Sequence, residues 1–364
     1  MLKLAFLLLA LPLAAQVPPR TAGPVTVKVQ PARTWIEAGD QAQHLAVDFE
    51  LENHGDTPLG LDRLDLVVRD RAGKVVVRRF LDDNGLAPSL ETLPLRVLAP
   101  KSKWVVFNPF QSFKRGLDLA KLTYTFSLSI PNEAPETRVA VDVTPKVYAP
   151  KTVLSLPLKG RILVHDGHDL YSHHRRLDTQ HPVALKIGIG RNTSRYALDL
   201  NTADEDFSPY RNEGRRNEDW YAWGQPLHAP GDGVVVAAVG DEPDNQRGEK
   251  PVFNPLAVTD PMRFYGNHLV IDHGHGEFTI MGHLLQNSLA VRVGDQVRRG
   301  QVVAKVGSSG SSLNPHVHFE LRDGKDLSCE GLPAMFHQFR RHLGARVERV
   351  RAAAVDTGDL LENP

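Results

Sequence analysis

Between residues 25 and 147, apolar and polar residues alternate with a period of two, in short runs broken by turns. That pattern excludes a helical bundle and calls for paired strands. Leu45-Ala46-Val47-Asp48-Phe49-Glu50-Leu51 alternates in this way. Leu64-Asp65-Leu66-Val67-Val68 and Lys74-Val75-Val76-Val77 follow, with Ala72-Gly73 between them as a hairpin signal. Residues 122–128 and 138–143 add two more strands. Short strands spaced by turns predict an immunoglobulin-like β-sandwich over residues 25–147. Residues 148–160, with Pro150 and Pro157, read as a linker. Further strands are expected at 233–239, 268–272, 302–306 and 316–321, within a second unit over 161–335. Beyond Pro333, Phe336, Phe339, Leu343 and Val347 recur at three- and four-residue steps, which predicts a short C-terminal helix and tail over 336–364. The expected class is therefore all-β in the main, with that one helix.

The first fifteen residues read as a secretory signal. Lys3 gives a basic start, residues 4–13 are apolar but for Pro12, and Ala14-Ala15 are small. The run is too short to cross a bilayer comfortably. A secreted or periplasmic protein is expected, with no membrane span in the mature chain. Lys+Arg and Asp+Glu number 43 each, so no net field favours nucleic acid. The single cysteine, Cys329, cannot form an internal disulfide, and the fold must rest on its core.

Of the 16 histidines, twelve fall between His165 and His318. Only His44 and His54 lie in the N-terminal half, which shows no catalytic constellation and reads as a spacer or binding module. In His316-Val317-His318, strand alternation sends both imidazoles to one face while Val317 and Phe319 take the other. The small-residue loop Ser308-Ser309-Gly310-Ser311-Ser312 precedes them and lets a substrate approach closely. His283 ends a strand, in Met281-Gly282-His283-Leu284. Asp199 is a carboxylate inside the otherwise apolar Ala197-Leu198-Asp199-Leu200, costly to bury unless paired or metal-bound.

Taken in order, RYALDL, PLHAPGDGVV, GNHLVIDHG, MGHL and VGDQVRRGQVVAKVGSSGSSLNPHVHFEL resemble the lysostaphin/LytM-type zinc endopeptidases over about residues 160–335. The resemblance implies an antiparallel sheet with a groove, a zinc ion, and peptidoglycan peptides as substrate. It implies that Asp199 and His318 ligate zinc. His316 and His283 stay off the metal, where they orient the attacking water and hold the developing oxyanion. His273 supports the site, and His228 and His268 are structural or rim residues. The alternative is a degenerate domain that regulates other wall hydrolases, with an envelope partner met through the N-terminal domain.

One position departs from the pattern. The family usually places a zinc histidine four residues before the aspartate, and here that residue is Arg195. Arginine has no acceptor for a metal, and two protein ligands fall one short of the usual catalytic three. Asn192 can lend a weak oxygen, or His173, His174 or His181 can fold in from the preceding segment. If Arg195 points elsewhere, a substrate carboxylate is one target for its fork. Residues 201–225 form a polar insert, expected as a solvated loop, with Trp220, Tyr221 and Trp223 offering flat surfaces to a groove.

Overall fold

A computed structural model of the chain describes residues 18–40, 42–131, 136–247 and 255–364, so the expected signal segment lies outside the described residues. The N-terminal half is built of three antiparallel-dominated sheets. One runs Arg20–Ala22, Val25–Gln30, Asp48–Asn53, Lys103–Phe107. Another runs Thr137–Val143, Lys121–Ser129, Leu59–Arg69, Val75–Asp82. Alternation gives each strand one apolar face, and these faces meet. Phe49 of the first sheet packs 4.6 Å from Tyr124 and 5.0 Å from Phe126 of the second, ring centre to ring centre. All three are fully buried.

The C-terminal half is organised by one large sheet whose neighbours are all antiparallel. Its order is Gln296–Val297, Gly233–Val239, His268–Asp272, Phe278–Gly282, Val317–Arg322, Leu198–Thr202, Gly160–Asp166, Leu360–Asn363, Phe336–Leu343, Arg346–Ala353. Leu198, Leu200, Val317, Phe319 and Leu321 put their side chains into its core. The opposite face of the same strands is left for polar residues.

The expected C-terminal helix is not formed. Phe336–Leu343 and Arg346–Ala353 make a β-hairpin turning at Gly344 (φ 64°), and Leu360–Asn363 joins that hairpin to Gly160–Asp166. The misleading signal has a local cause. Gln338 takes φ 61° and breaks the alternation, so Phe336 and Phe339 both reach the core although they are three apart. That spacing mimics a helical face.

Residues 148–160 are welded to the second half rather than free. Leu154, Leu156 and Leu158 are buried in its core, and Leu154 bridges to Phe336. The Glu277 carboxylate accepts hydrogen bonds from Tyr148 Oη (2.6 Å), Lys151 N (2.9 Å) and Thr152 N (2.7 Å).

Three acids of the N-terminal half hold the segment 167–181 of the C-terminal half. Glu37 meets His168 at 2.8 Å, Gln180 donates to Glu50 at 3.1 Å, and Asp48 pairs with Arg175. On the other side, the loop of residues 308–312 lies against 264–267. There Gly266 (φ 58°) and Gly310 (φ 68°) touch so closely that a Cβ on either would fall 2.3–2.4 Å from a backbone nitrogen of the other, so only glycine fits.

Candidate metal centre

Strand register sets a row of residues across four neighbouring strands. Asp166 lies opposite Asp199, Asp199 opposite His318, and His318 opposite Gly282. An irregularity between Val164 and Asp166 shifts the register there and re-aims the aspartate. Along Val317–Arg322 the alternation is strict. His318, Glu320 and Arg322 share the polar face while Val317, Phe319 and Leu321 enter the core. His316 extends that face by one step. His283 follows Gly282 at φ 62°, a left-handed conformation that bends the chain at the strand's end, and its N–H donates to Tyr265 O at 2.9 Å.

Asp166, Asp199, His283, His316 and His318 line a cavity of about 560 Å³. At its floor, Asp199 Oδ1 lies 3.0 Å from His318 Nδ1, 3.3 Å from His316 Nε2 and 3.3 Å from His174 Nε2. Asp199 Oδ2 faces His173 Nε2 at 4.0 Å, and His173 Nδ1 sits 2.5 Å from Asp166 Oδ2. His283 completes the cluster, its ring 4.9 Å from that of His316 and 5.7 Å from that of His318.

The outer partners of the rings determine which nitrogen faces inward. His174 Nδ1 meets Gly167 O at 2.8 Å, His316 Nδ1 meets Asn314 O at 2.7 Å, and His283 Nδ1 meets Ser309 O at 2.8 Å. A carbonyl only accepts, so each Nδ1 carries a proton and each Nε2 is the nitrogen turned toward the cavity. His318 is reversed. Its Nε2 donates to Glu320 Oε1 at 2.6 Å, which presents Nδ1 to Asp199. Glu320 is held ionised: burial alone would raise its carboxyl, but Arg322 and His318 bring it far below the usual range. This carboxylate–histidine arrangement is what orients metal-binding imidazoles.

Electrostatics concentrates charge at the floor. Burial would raise the Asp199 carboxyl, yet His316 and His174 hold it well below the ordinary value. Burial would lower His174, but the Asp199 charge lifts it to about 9. His316 is raised for the same reason, against its own burial. His283 has no such partner and is driven well below its usual value by burial, then by His316 and His318. Without a cation, then, protons sit between Asp199 and the rings of His174 and His316. His174 is 2% exposed and its buried Nε2 has no hydrogen bond of good geometry, so a cation can take the proton's place. The donor set of imidazole nitrogens and a carboxylate at this spacing fits zinc.

The sequence-derived candidates thus divide. Asp199, His283, His316 and His318 all line the cavity. Asn192 does not line it. Its amide nitrogen donates to His174 O (2.9 Å) and Arg175 O (3.3 Å), so it braces the backbone beside the cavity. His181 caps the short helix Pro182–Lys186 instead. Arg195 is 1% exposed and donates to Asp48 Oδ2 at 2.6 Å, so its target is a carboxylate of its own chain. Trp220 packs 4.8 Å from Tyr210 and donates to Gly214 O, so the insert buries its own aromatic rather than lining the cavity. His273 ties Asp232 O to Thr279 Oγ1, and His268 ties Gly266 O.

Several residues of the site were not singled out from the sequence. Glu320 was legible, since it lies two residues past His318 on one strand and must share its face. His174 was one of three alternatives. Asp166 and Asp48 left no local signal, because their roles depend on strand register and on a contact across 127 positions.

Residues 219–328 match the model for Peptidase family M23. That span includes His283, His316 and His318, while His174 and Asp199 lie upstream of it. The murein hydrolase activator EnvC of Escherichia coli K12 is 42% identical over 67 residues, 18% of this chain and 16% of EnvC. The peptidoglycan DD-endopeptidase ShyA of Vibrio cholerae serotype O1 is 32% identical over 98 residues, 27% of this chain and 17% of ShyA. The chain thus spans only about a sixth of the length of these relatives. Among solved structures, the catalytic domain of the antimicrobial peptidase lysostaphin from Staphylococcus simulans is 22% identical, with a TM-score of 0.22, covering 34% of this chain and 83% of that one.

Proposed function

We propose that this chain, whose residues 219–328 carry a Peptidase family M23 domain, is a zinc-dependent endopeptidase. Its substrates are the peptide bonds of peptidoglycan stems or cross-bridges, and its place is outside the cytoplasm. The single observation that carries the reading is Asp199 Oδ1, which stands within 3.3 Å of imidazole nitrogens from His174, His316 and His318 in a buried cavity. His174, Asp199 and His318 are the proposed ligands. His174 then supplies the donor that Arg195 cannot, from a segment about twenty positions upstream of the usual place. The peptidoglycan substrate is supported by the similarity to ShyA.

Zinc in this seat supplies Lewis acidity, polarising a scissile carbonyl and lowering the pKa of water. The chain's own residues do the rest. Glu320 holds the His318 ring with Nδ1 toward Asp199, from where it would ligate the ion. Gly167 O does the same for His174 through Nδ1. His316 and His283 turn Nε2 toward the cavity, each fixed by a backbone carbonyl, and His283, held well below its usual value, keeps that nitrogen unprotonated. Such an imidazole accepts a proton from the attacking water and returns it to the leaving amine. Phe264, Leu177 and Leu313 give the cavity an apolar wall that excludes water around the bound peptide.

The test is digestion of purified cell-wall fragments by the full chain, with and without a chelator and with zinc restored. Release of new amino termini that the chelator stops and zinc restores is the expected outcome. A second reading, a binding protein that regulates wall hydrolases through an envelope partner, is favoured by the match to a murein hydrolase activator. It predicts no new amino termini with zinc bound or absent.

A further inference from the structure

The mouth of the cavity carries a second group of donors that the proposed zinc seat leaves unused. Asp166 and Asp199 are cross-strand partners, so their carboxylates emerge side by side on one face. The His173 ring stands between them, with Nδ1 2.5 Å from Asp166 Oδ2 and Nε2 4.0 Å from Asp199 Oδ2. The two oxygens of Asp199 are therefore divided. Oδ1 faces His174, His316 and His318, and Oδ2 faces His173. Donor atoms from Asp166, His173, His174 and Asp199 all lie within 4.8 Å of one another. Of these, His174 Nε2, buried without a hydrogen-bond partner, belongs to the inner seat, and Asp166, His173 and Asp199 Oδ2 remain beside it at the mouth.

We propose that Asp166, His173 and Asp199 Oδ2 form a seat for a second divalent cation, next to the zinc seat and sharing Asp199 as a bridge. The proposal rests on the zinc reading of the inner seat. Two carboxylates and one imidazole suit zinc or manganese, which accept mixed oxygen and nitrogen donors. The inner seat is deeply buried, whereas His173 is 69% exposed and Asp166 21%. The outer seat therefore keeps water among its ligands, binds more weakly and fills second. Exposure also lets His173 turn to meet an ion at the about 2.0–2.2 Å of zinc–nitrogen and zinc–oxygen bonds. Two cations bridged by one carboxylate, about 3.5–4 Å apart, are an arrangement that stabilises both the attacking and the leaving atom in hydrolysis.

The experiment is equilibrium dialysis of the purified full chain against zinc, with metal content measured by atomic emission. Wild type is expected to hold two equivalents at saturation. Asp166→Asn and His173→Gln should each hold one, with the tight phase unchanged. His173→Gln alters an exposed side chain and guards against a folding defect in the aspartate variant. One equivalent in wild type and in both variants overturns the second seat while leaving the zinc centre standing. No zinc in wild type overturns both.

Discussion

Replacing Asp48 by asparagine should loosen a metal centre that Asp48 does not touch. The carboxylate is buried in the N-terminal half and accepts hydrogen bonds from Arg175 Nη1, from Arg195 Nη1 at 2.6 Å and from Asn108 N at 3.1 Å. Arg175 directly follows His174, and Arg195 lies four residues before Asp199. One acid thus pins both backbone segments that carry the proposed ligands. Arg175 and Arg195 are 0% and 1% exposed, so removing the Asp48 charge leaves Arg175 with only the Val47 carbonyl at 3.0 Å and Arg195 with only the Glu330 carboxylate at 3.9 Å. Breaking a buried ion pair in this way costs about 3–5 kcal/mol, a large share of the roughly 5–15 kcal/mol that holds a domain folded. Loss of outer support costs metal sites about 10- to 100-fold in affinity. The assay is a zinc competition titration against a chromogenic chelator, beside urea unfolding. The control is Phe126→Ala, a cavity in the N-terminal core that costs a similar 3–5 kcal/mol but removes neither of the ion pairs that Asp48 makes with the two arginines. Asp48→Asn should lose about tenfold or more in zinc affinity, and Phe126→Ala should lose none. Equal zinc affinity in Asp48→Asn and wild type would refute the reasoning. The same pairing has a pH sign. Burial raises the Asp48 carboxyl, but Arg175 and Arg195 lower it below its unfolded value. Its contribution is then complete above the unfolded pKa of about 3.9 and is lost only as pH falls below it.

Arg195→His restores the usual residue at that position but also removes a guanidinium from Asp48, so it should lower stability without raising zinc affinity. A tight new zinc site in that variant would show that His174 does not fill the role. His318→Ala should lose tight zinc, whereas His283→Ala should keep it and lose hydrolysis of wall fragments. Metal loss in His283→Ala as complete as in His318→Ala would contradict the assignment. Zinc uptake should depend on pH, because Asp199 lifts ion-free His174 to about 9 and a cation must displace that proton. Apparent affinity should fall about tenfold for each unit below pH 9, as expected for one competing proton, and a flat profile between pH 7 and 9 would exclude it.

How far the sequence could be read follows from the range of each interaction. Alternation along a strand is local, so His316, His318 and Asp199 were legible as inward-facing residues. The β class was legible for the same reason. The C-terminal segment misled because a single residue at positive φ, Gln338, gave Phe336 and Phe339 a helical spacing inside a strand. Arg195 was recognisable as a departure, but its target was not. Its partner Asp48 lies 147 positions away on another sheet. His174 could be named only as one of several, because nothing local distinguishes it from His173 beside it. Burial against Gly167 O separates them, with His174 directed to the cavity floor and His173 to its mouth.

The central claim is that His174, Asp199 and His318 together hold a zinc ion. The most direct measurement is the zinc affinity of His174→Ala against wild type, both as full chains at pH 8. Wild type should bind a tight equivalent, and His174→Ala should lose at least about 100-fold in affinity, the upper end of what supporting groups cost a metal site. Zinc held as tightly by His174→Ala as by wild type would contradict the account.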